Sequence, residues 1–339
     1  MKAAIVRDKQ FVVDEIPTPV PGPGQVLAKV RICGICGSDL HLFKHAEELL
    51  STAEAAGMVI DKNSELILGH EFVAEVVAFG PDTEQRFNVG DRVCSIPFRK
   101  QGDQLLNIGT PAAQGAYAEY LLLTEEFLVP VPDALSDEAA ALVEPLAVGV
   151  HAVAKSAITD SGSALVIGCG PIGLATIAIL KMRGIEQIVA SDYSPRRRGL
   201  AQQMGATLVV DPAEESPYQS FSDEPNGEFV VYECVGLPGL LKQIVDQVPK
   251  QAKIVMIGLC AGDDSYTPLT AMMKEVQIQF VYYYTPEEFS QSLEALSEGR
   301  VNWEPWVSSK INLDGVANAF RALQDPEREV KVLIEPFSK

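Results

Sequence analysis

The feature that most constrains the fold is a glycine-rich turn near the middle of the chain, which reads Gly168, Cys169, Gly170, Pro171, Ile172, Gly173. It follows an apolar segment, 164–167, and opens a helical pattern over 172–182. In a strand–turn–helix unit, the first glycine permits a tight turn, the second lets the backbone approach a pyrophosphate, and the third lets helix and strand pack closely. The turn therefore predicts a dinucleotide-binding site at a helix N-terminus.

The acid that follows the turn indicates which dinucleotide is bound. Asp192 ends the next apolar segment, 19 positions after Gly173, close to the ~20 expected for the acid that binds the adenosine ribose. Its carboxylate would repel a 2′-phosphate, which favours NAD. Arg197, in the basic run 196–198, is a further cofactor-binding candidate. Because an arginine at this place can accommodate a 2′-phosphate, NADP is the open alternative.

The pattern of apolar and polar residues changes near residue 162. After that point apolar segments alternate with helical patterns, which predicts a parallel, doubly wound sheet of the α/β class. Before it, short strands separated by Pro and Gly clusters predict a β-rich domain. We expect the tail to rejoin that first domain. The predicted division is residues 146–287 for the dinucleotide and residues 1–145 with 288–339 for the β-rich domain.

Composition argues against several classes of partner. The 339-residue chain has a formal net charge of −19 and no long basic run, so nucleic acid is not expected as a partner. The uncharged stretch 161–180 is interrupted in its middle by three glycines and a proline, so no membrane span is expected. Six widely spaced cysteines fit a reducing compartment, and no export signal is visible, so we expect a cytoplasmic protein.

Two compact polar clusters carry the candidate chemistry. The first contains Cys36, Ser38, Asp39 and His41, and the second reads Gly69, His70, Glu71. Cysteine, histidine and carboxylate are the ligands of zinc, and a catalytic zinc takes three protein ligands and leaves one position open. Cys36 and His70 are the natural first two ligands. Cys33 precedes Cys36 by three positions, but it ends an apolar segment and is interpreted as a buried core residue.

Together, the two clusters and the mid-chain glycine turn resemble the zinc-containing medium-chain dehydrogenases, and the likeness covers nearly the whole chain. The resemblance implies a GroES-like catalytic domain and a Rossmann nucleotide domain. The motif Val143, Glu144, Pro145 is similar to that of the polyol, butanediol and threonine dehydrogenase branch, in which a glutamate is the third ligand. Glu144 is then the implied ligand, and Glu71 is the alternative or a fourth contact. Each could instead be an ordinary acid at the start of a helix.

The same resemblance implies roles for other residues. Asp39 would orient the metal-bound histidine, Ser38 would take the alcohol proton, and His41 would pass it towards solvent. The residues implied to lie against the cofactor are Val235, Ile257 and Leu259, and weaker candidates for the substrate wall are Pro97 and Phe98. Relatives form homodimers or homotetramers through the nucleotide domain, and the apolar run 281–284 is compatible with this.

In two respects the chain departs from the family pattern. No cysteine occurs between residues 98 and 116, where many relatives carry four cysteines for a structural zinc, so we expect one zinc per chain. The interval from Cys36 to His70 is long, and residues 47–57 read as a helix ended by glycine. We expect that helix either to border the substrate entrance or to be part of a solvent-exposed surface loop.

These features predict reversible oxidation of a secondary alcohol, diol or polyol to a ketone, with hydride transfer to NAD. One alternative is an NADPH-linked reductase of aldehydes or ketones that uses the same zinc site. Another is a nucleotide-binding sensor or structural protein that keeps the fold without turnover.

Overall fold

The computed structural model describes residues 1–61, 64–220 and 228–338. The chain divides into two compact units: unit 1 comprises residues 1–144 and 307–339, and unit 2 comprises residues 145–306. Within the described ranges, none of the helices combines the length and apolar composition that crossing a bilayer requires.

Unit 1 begins with short strands and three helices. The strands are β1 (Lys2–Arg7), β2 (Gln10–Glu15), β3 (Gln25–Gly34), β4 (Glu71–Phe79), β5 (Arg92–Ser95), β6 (Phe98–Gln101), β7 (Gln104–Asn107), β8 (Tyr120–Thr124) and β9 (Leu128–Pro130). The helices are α1 (Gly37–Ala55), α2 (Asp137–Ala140) and α3 (Val143–Ser156), whose residues from Pro145 onward belong to unit 2. The first half of the chain is therefore β-rich, as predicted.

Strand β3 is the centre of unit 1, because it pairs antiparallel with both β4 and β8. Val26, Ala28, Val30 and Ile32 are buried, whereas Arg31 is exposed. This alternation is typical of a strand with one face on a core and the other towards solvent. The strand ends at Gly34, so the chain delivers Cys36 directly to the start of α1.

Unit 2 contains a parallel sheet flanked by helices. The strands are β10 (Ser163–Ile167), β11 (Gln187–Ser191), β12 (Leu208–Val210), β13 (Phe229–Glu233), β14 (Lys253–Met256) and β15 (Gln277–Phe280). The helices are α4 (Pro171–Met182), α5 (Pro195–Met204), α6 (Leu240–Gln247), α7 (Pro268–Lys274) and α8 (Pro286–Ser297). The sheet order is β12-β11-β10-β13-β14-β15, and all neighbouring pairs are parallel. The order reverses between β10 and β13, and ligands bind at the carboxyl ends of strands at such a switch point.

The end of the chain returns to unit 1. Strands β16 (Val307–Ile311) and β17 (Lys331–Ile334) pair in parallel, and helix α9 (Val316–Ala322) lies between them in sequence. Strand β17 also pairs antiparallel with β3, opposite Cys33 and Gly34. The tail therefore completes the seven-stranded sheet of unit 1 next to the segment that leads to Cys36.

Local details differ from the sequence-based expectations. The helix predicted over 47–57 is part of α1, which begins at Gly37 and has a kink at His45, where φ is −124° and ψ is 36°. The boundary expected at residue 288 differs from the observed division, which assigns α8 to unit 2. There, His151 Nδ1 lies 2.8 Å from Glu288 Oε2, and Phe289 and Leu293 are buried. A helix anchored in this way belongs with the unit that it contacts.

Candidate active site

The first polar cluster lies where β3 ends and α1 begins. Cys36 is the residue before the first turn of α1, and its extended backbone (φ −94°, ψ 154°) is typical of a helix N-cap. Asp39, in the first turn, accepts a hydrogen bond from the Cys36 backbone N–H at 3.0 Å. Ser38 and His41 lie three positions apart on α1, which puts them on the same helix face. Local helix-capping geometry thus groups these side chains.

Asp39 is the buried anchor of the cluster. Its Oδ2 accepts a hydrogen bond from the Tyr117 hydroxyl at 2.7 Å, and its Oδ1 lies 3.4 Å from His70 Nδ1. Burial alone would raise the pKa of Asp39, but the charge of His70 and these hydrogen bonds outweigh burial and lower it. The carboxylate is therefore ionised, and it holds the Nδ1 side of the His70 ring.

The other ring nitrogen of His70 faces the cluster. Nε2 lies 3.4 Å from Ser38 Oγ, and the Cys36 thiol lies within hydrogen-bonding reach of the ring. Burial opposes a charge on His70, yet Asp39 and Cys36 outweigh burial and raise the pKa of His70 well above its usual value. This local field favours a cation. A thiol and an imidazole nitrogen that meet in such a field fit a zinc ion, which prefers these two donors.

Glu71 follows His70 but lies in a different environment. Its side chain is fully buried, and both carboxylate oxygens accept hydrogen bonds from Lys331 Nζ, at 2.7 and 2.6 Å. The Glu71 carboxylate also packs against Gly34, because a Cβ added to Gly34 would lie 2.2 Å from Glu71 Oε2. Glu71 is thus engaged with a lysine of β17, and its predicted role as a metal ligand stays a prediction.

Glu144 is buried in the first turn of α3. Over residues 1–61, 64–220 and 228–338, no three His, Cys, Asp or Glu side chains stand close enough together to hold a metal ion. The structure therefore brings Cys36 and His70 together, and the third ligand stays a prediction. Pro97 and Phe98 lie at the start of the β6–β7 hairpin, in the segment without cysteines.

The glycine turn of unit 2 has the close packing that its sequence predicts. Gly168 follows β10 with φ +88°, a conformation that favours glycine. A Cβ on Gly173 would lie only 1.9 Å from the Gly168 carbonyl oxygen. By contrast, a Cβ on Gly170 would meet nothing nearer than Arg197 Nη1 at 4.0 Å, which leaves this part of the turn open. Pro171 and Ile172 begin α4, so its N-terminus faces the turn.

Asp192 is tied to the same turn. Its Oδ2 accepts a hydrogen bond from the Cys169 N–H at 2.7 Å, and its Oδ1 accepts one from the Ser194 N–H at 2.8 Å. Arg197 Nη1 lies 4.0 Å from Oδ2. Arg198 instead donates to the backbone oxygens of Asp192 and Tyr193 and pairs with Asp211. Asp192 and Arg197 thus both border the turn, and their predicted contact with the adenosine ribose stays a prediction.

The loops after β13 and β14 meet at the same end of the sheet. Val235 packs closely against Gly168, because a Cβ added to Gly168 would lie 2.5 Å from Val235 Cγ2. Leu259 packs equally closely against Gly236, because a Cβ added to Gly236 would lie 2.5 Å from the Leu259 carbonyl oxygen. Ile257, also after β14, donates its N–H to the Glu233 carbonyl at 2.9 Å. The three residues predicted to contact the cofactor therefore follow the carboxyl ends of β13 and β14, and Val235 lies against the glycine turn.

Three residues of this arrangement escaped the sequence interpretation. Tyr117 holds Asp39, Lys331 holds Glu71, and Glu233 accepts hydrogen bonds from the Val235 and Gly236 N–H groups. Burial raises the pKa of Glu233. The sequence did contain two signals for such pairs. A lysine lies inside the apolar run 330–334, and a glutamate ends the apolar run 229–233. A charge buried in an apolar segment needs a partner elsewhere in the fold.

Unit 1 thus brings together a thiol and an imidazole, and unit 2 has a glycine-rich turn at the carboxyl end of a parallel sheet, which is the arrangement found in Rossmann-type nucleotide domains. Residues 22–133 match the model of the alcohol dehydrogenase GroES-like domain, and residues 171–298 match that of zinc-binding dehydrogenases. The chain belongs to the zinc-containing medium-chain dehydrogenase family, in its polyol and butanediol dehydrogenase-like branch. It is a zinc-dependent alcohol or polyol oxidoreductase that uses a nicotinamide cofactor.

Individual relatives support this assignment over the full length. The chain is 32% identical to (R,R)-butanediol dehydrogenase of Bacillus subtilis, covering 99% of this chain and 100% of the relative. It is 30% identical to sorbitol dehydrogenase of the same organism, covering 99% and 97%. The crystal structure of 2R,3R-butanediol dehydrogenase from Bacillus subtilis has a TM-score of 0.85 and 31% identity, with 99% of each chain covered.

Proposed function

We propose that the protein oxidises a secondary alcohol of a vicinal diol or short polyol to the ketone, reversibly and with NAD. The observation that carries this proposal is the Cys36–His70 pair held by buried Asp39, in a chain whose glycine turn is bordered by Asp192. The names of the two relatives, a butanediol and a sorbitol dehydrogenase, support the diol or polyol class.

One zinc ion per chain would be held by Cys36, His70 and Glu144, with Glu71 outside this set. When bound, zinc supplies a Lewis acid that favours loss of the alcohol proton, and NAD accepts the hydride. Asp39 keeps the proton of His70 on Nδ1, so that Nε2 is the donor atom. The segment without cysteines, 98–116, supports a single zinc.

Ser38 and His41 would carry the alcohol proton. Ser38 Oγ already lies 3.4 Å from the donor nitrogen of His70, and His41 is one helical turn further along α1. Burial, with smaller contributions from His45 and Lys44, lowers the pKa of His41. The His41 ring is therefore neutral at pH 7 and can accept a proton.

The preference for NAD would rest on the charge of Asp192, with Val235, Ile257 and Leu259 against the cofactor. The variant Asp192→Asn keeps the size and one acceptor oxygen but removes the repulsion of a 2′-phosphate. We expect wild type to prefer NAD. In the variant the NADP to NAD ratio of kcat/KM should rise about tenfold or more, which corresponds to ~1.4 kcal/mol.

The matched control for this measurement is Asp246→Asn, which removes a carboxylate paired with Lys242 on α6. Its cofactor preference should equal that of wild type. A wild-type preference for NADP would contradict the proposal and favour the NADPH-linked reductase, with Arg197, whose Nη1 lies 4.0 Å from Asp192 Oδ2, as the residue that could bind the phosphate.

The reaction itself is tested by initial rates of NADH formation with vicinal diols, polyols, sugars and simple alcohols, each with and without a chelator. We expect the highest kcat/KM for a vicinal diol or short polyol, and loss of that rate with chelator. Equal, chelator-resistant rates for all classes, or no turnover of any, would contradict the proposal.

We also propose a homodimer formed at strand β15. In the described part of the chain β15 is an edge of the six-stranded sheet, and its neighbourhood is apolar and exposed: Met272, Met273 and Phe280 have exposed fractions of 68%, 69% and 68%. An open edge strand with apolar side chains can pair with its copy around a twofold axis. The variant Phe280→Lys should therefore be monomeric by light scattering.

The control for the dimer is Val20→Lys, because Val20 is an apolar residue of unit 1 that is even more exposed than Phe280. It should keep the mass of two chains. A wild-type protein with the mass of one chain would contradict the dimer. The six cysteines are all free thiols, which supports a reducing compartment, and we propose the cytoplasm.

A further inference from the structure

Glu233 is a fully buried residue at the carboxyl end of β13 that the proposed reaction does not use. Its Oε1 accepts hydrogen bonds from the N–H groups of Val235 at 2.6 Å and Gly236 at 2.8 Å, which belong to the loop after β13, residues 234–239. Its Oε2 is buried and has no hydrogen-bond partner among the described residues. Burying a carboxyl group is costly, so packing alone does not account for a glutamate here.

The same residue also binds the loop after β14, residues 257–267. The Glu233 carbonyl oxygen accepts hydrogen bonds from the N–H groups of Ile257 and Gly258, each at 2.9 Å. The carboxylate packs against Gly258, because a Cβ added there would lie 2.6 Å from Glu233 Oε2 and 2.2 Å from the Gly236 nitrogen. Glu233 therefore joins the two loops: its side chain holds the first, and its main chain holds the second.

These two loops carry the residues predicted to contact the cofactor, Val235, Ile257 and Leu259. A dinucleotide that binds across a switch point has one nucleotide half on each side of it. Asp192 follows β11 and borders the turn on the side proposed for the adenosine ribose. The loops after β13 and β14 lie on the other side of the switch point, where the nicotinamide half would lie.

We propose that Glu233 is a positioning residue that holds the loops after β13 and β14, before the cofactor binds, in the conformation that receives the nicotinamide half. This inference rests on the proposed binding of NAD. It goes further, because it assigns the affinity for one half of the cofactor to a residue that has no exposed surface. Glu233 acts through the N–H groups that it binds, and loops that are ordered in advance lose less entropy on binding.

The charge of Glu233 matters for this role. Burial raises its pKa, and Asp264 adds to the rise, whereas the N–H groups of Gly236, Val235 and Gly258 oppose it. A carboxylate oxygen binds N–H groups more strongly than a neutral amide oxygen does. Glutamine keeps the size and one acceptor oxygen, but it is neutral and puts an NH₂ group at the Oε2 position, against Gly258. The variant Glu233→Gln should therefore loosen both loops at nearly constant volume.

The test compares two ligands of the full-length protein, NADH and ADP-ribose, which lacks the nicotinamide ring. Isothermal titration calorimetry gives both Kd values. In Glu233→Gln we expect the Kd for NADH to rise about tenfold or more, and the Kd for ADP-ribose to stay within about twofold of wild type. A general loosening of unit 2 would weaken both ligands alike. Equal losses for the two ligands, or a wild-type Kd for NADH, would overturn the proposal.

The matched control is Asp264→Asn. Asp264 belongs to the loop after β14, and its Oδ1 accepts a hydrogen bond from the Gly239 N–H of the loop after β13 at 2.8 Å, but this carboxylate is exposed. Asparagine keeps an acceptor oxygen, so both Kd values should match wild type. A loss of NADH affinity as large as that in Glu233→Gln would contradict the specific role of the buried carboxylate.

A second measurement uses only the wild-type protein and remains decisive where Glu233→Gln does not fold. In the cofactor-free protein, the amide hydrogens of Val235 and Gly236 should exchange about 100-fold or more slowly than in an unfolded chain, because Glu233 already holds them. Exchange at the unfolded rate, with protection only after NADH is added, would overturn the proposal. A wild-type protein that binds neither NADH nor ADP-ribose defeats the proposed function itself, which separates the two failures.

Discussion

Replacing Cys36 with alanine is expected to remove zinc and activity together. Cys36 supplies the thiol that lies against the His70 ring, and two or fewer remaining donors do not hold a catalytic zinc tightly. We expect bound zinc to fall below about a tenth of the wild-type amount, and kcat/KM to fall about 1000-fold or more, equivalent to ~4 kcal/mol. Elemental analysis and NADH formation measure the two effects on one sample.

The matched control is Cys33→Ala, three positions earlier in the same segment. Cys33 is fully buried, and burial raises the pKa of its thiol well above the usual value, with Asp39 and Glu71 adding to the effect. This thiol is therefore a core residue, and its loss should cost about 1 kcal/mol of stability but no zinc. Retention of zinc in Cys36→Ala, or its loss in Cys33→Ala alone, would show that the donor is misassigned.

The second large effect is expected for Gly173→Ala. The new Cβ would lie 1.9 Å from the Gly168 carbonyl oxygen, a backbone atom that cannot move without opening the turn between β10 and α4. We expect a cost of roughly 3 kcal/mol or more in unit 2, which corresponds to a fall in Tm of about 6–12 °C. The measurement is thermal unfolding followed by circular dichroism.

Gly170→Ala is the matched variant, because the same methyl group there meets nothing nearer than 4.0 Å and the backbone (φ −69°, ψ −175°) accepts alanine. Its Tm should stay near that of wild type. The methyl group would instead obstruct the approach of a pyrophosphate, so the Kd for NADH should rise about tenfold or more. Equal Tm values for the two variants would contradict this description of the turn.

The sequence predicted the parts of the fold that depend on local patterns. The strand–turn–helix at residues 164–182 was recognisable because glycine has a distinct conformational role there, and α4 begins at Pro171, one residue before the predicted pattern. The class of each unit followed from the alternation of apolar segments. The helix predicted over 47–57 begins as early as Gly37 and continues through a kink at His45. Local pattern does not reveal this continuity, because a kink depends on contacts made elsewhere in the fold.

The site was predictable only in part, for a related reason. Cys36 and His70 stood out because cysteine and histidine are rare residues in compact polar clusters. Tyr117 and Lys331 lie far from them in sequence, and only the pairing of β3 with β17 brings Lys331 next to Glu71. A buried charge needs a partner, but the sequence does not state which residue the folded chain supplies.

The most direct test of the account is a metal count combined with metal-dependent turnover of a vicinal diol such as butane-2,3-diol. We predict about one zinc per chain, loss of NAD-linked oxidation after removal of the metal, and recovery with one equivalent of added zinc. Two tightly bound zinc ions per chain would contradict the single site. Full NAD-linked activity in the metal-free protein would contradict the central claim that Cys36 and His70 hold a catalytic zinc.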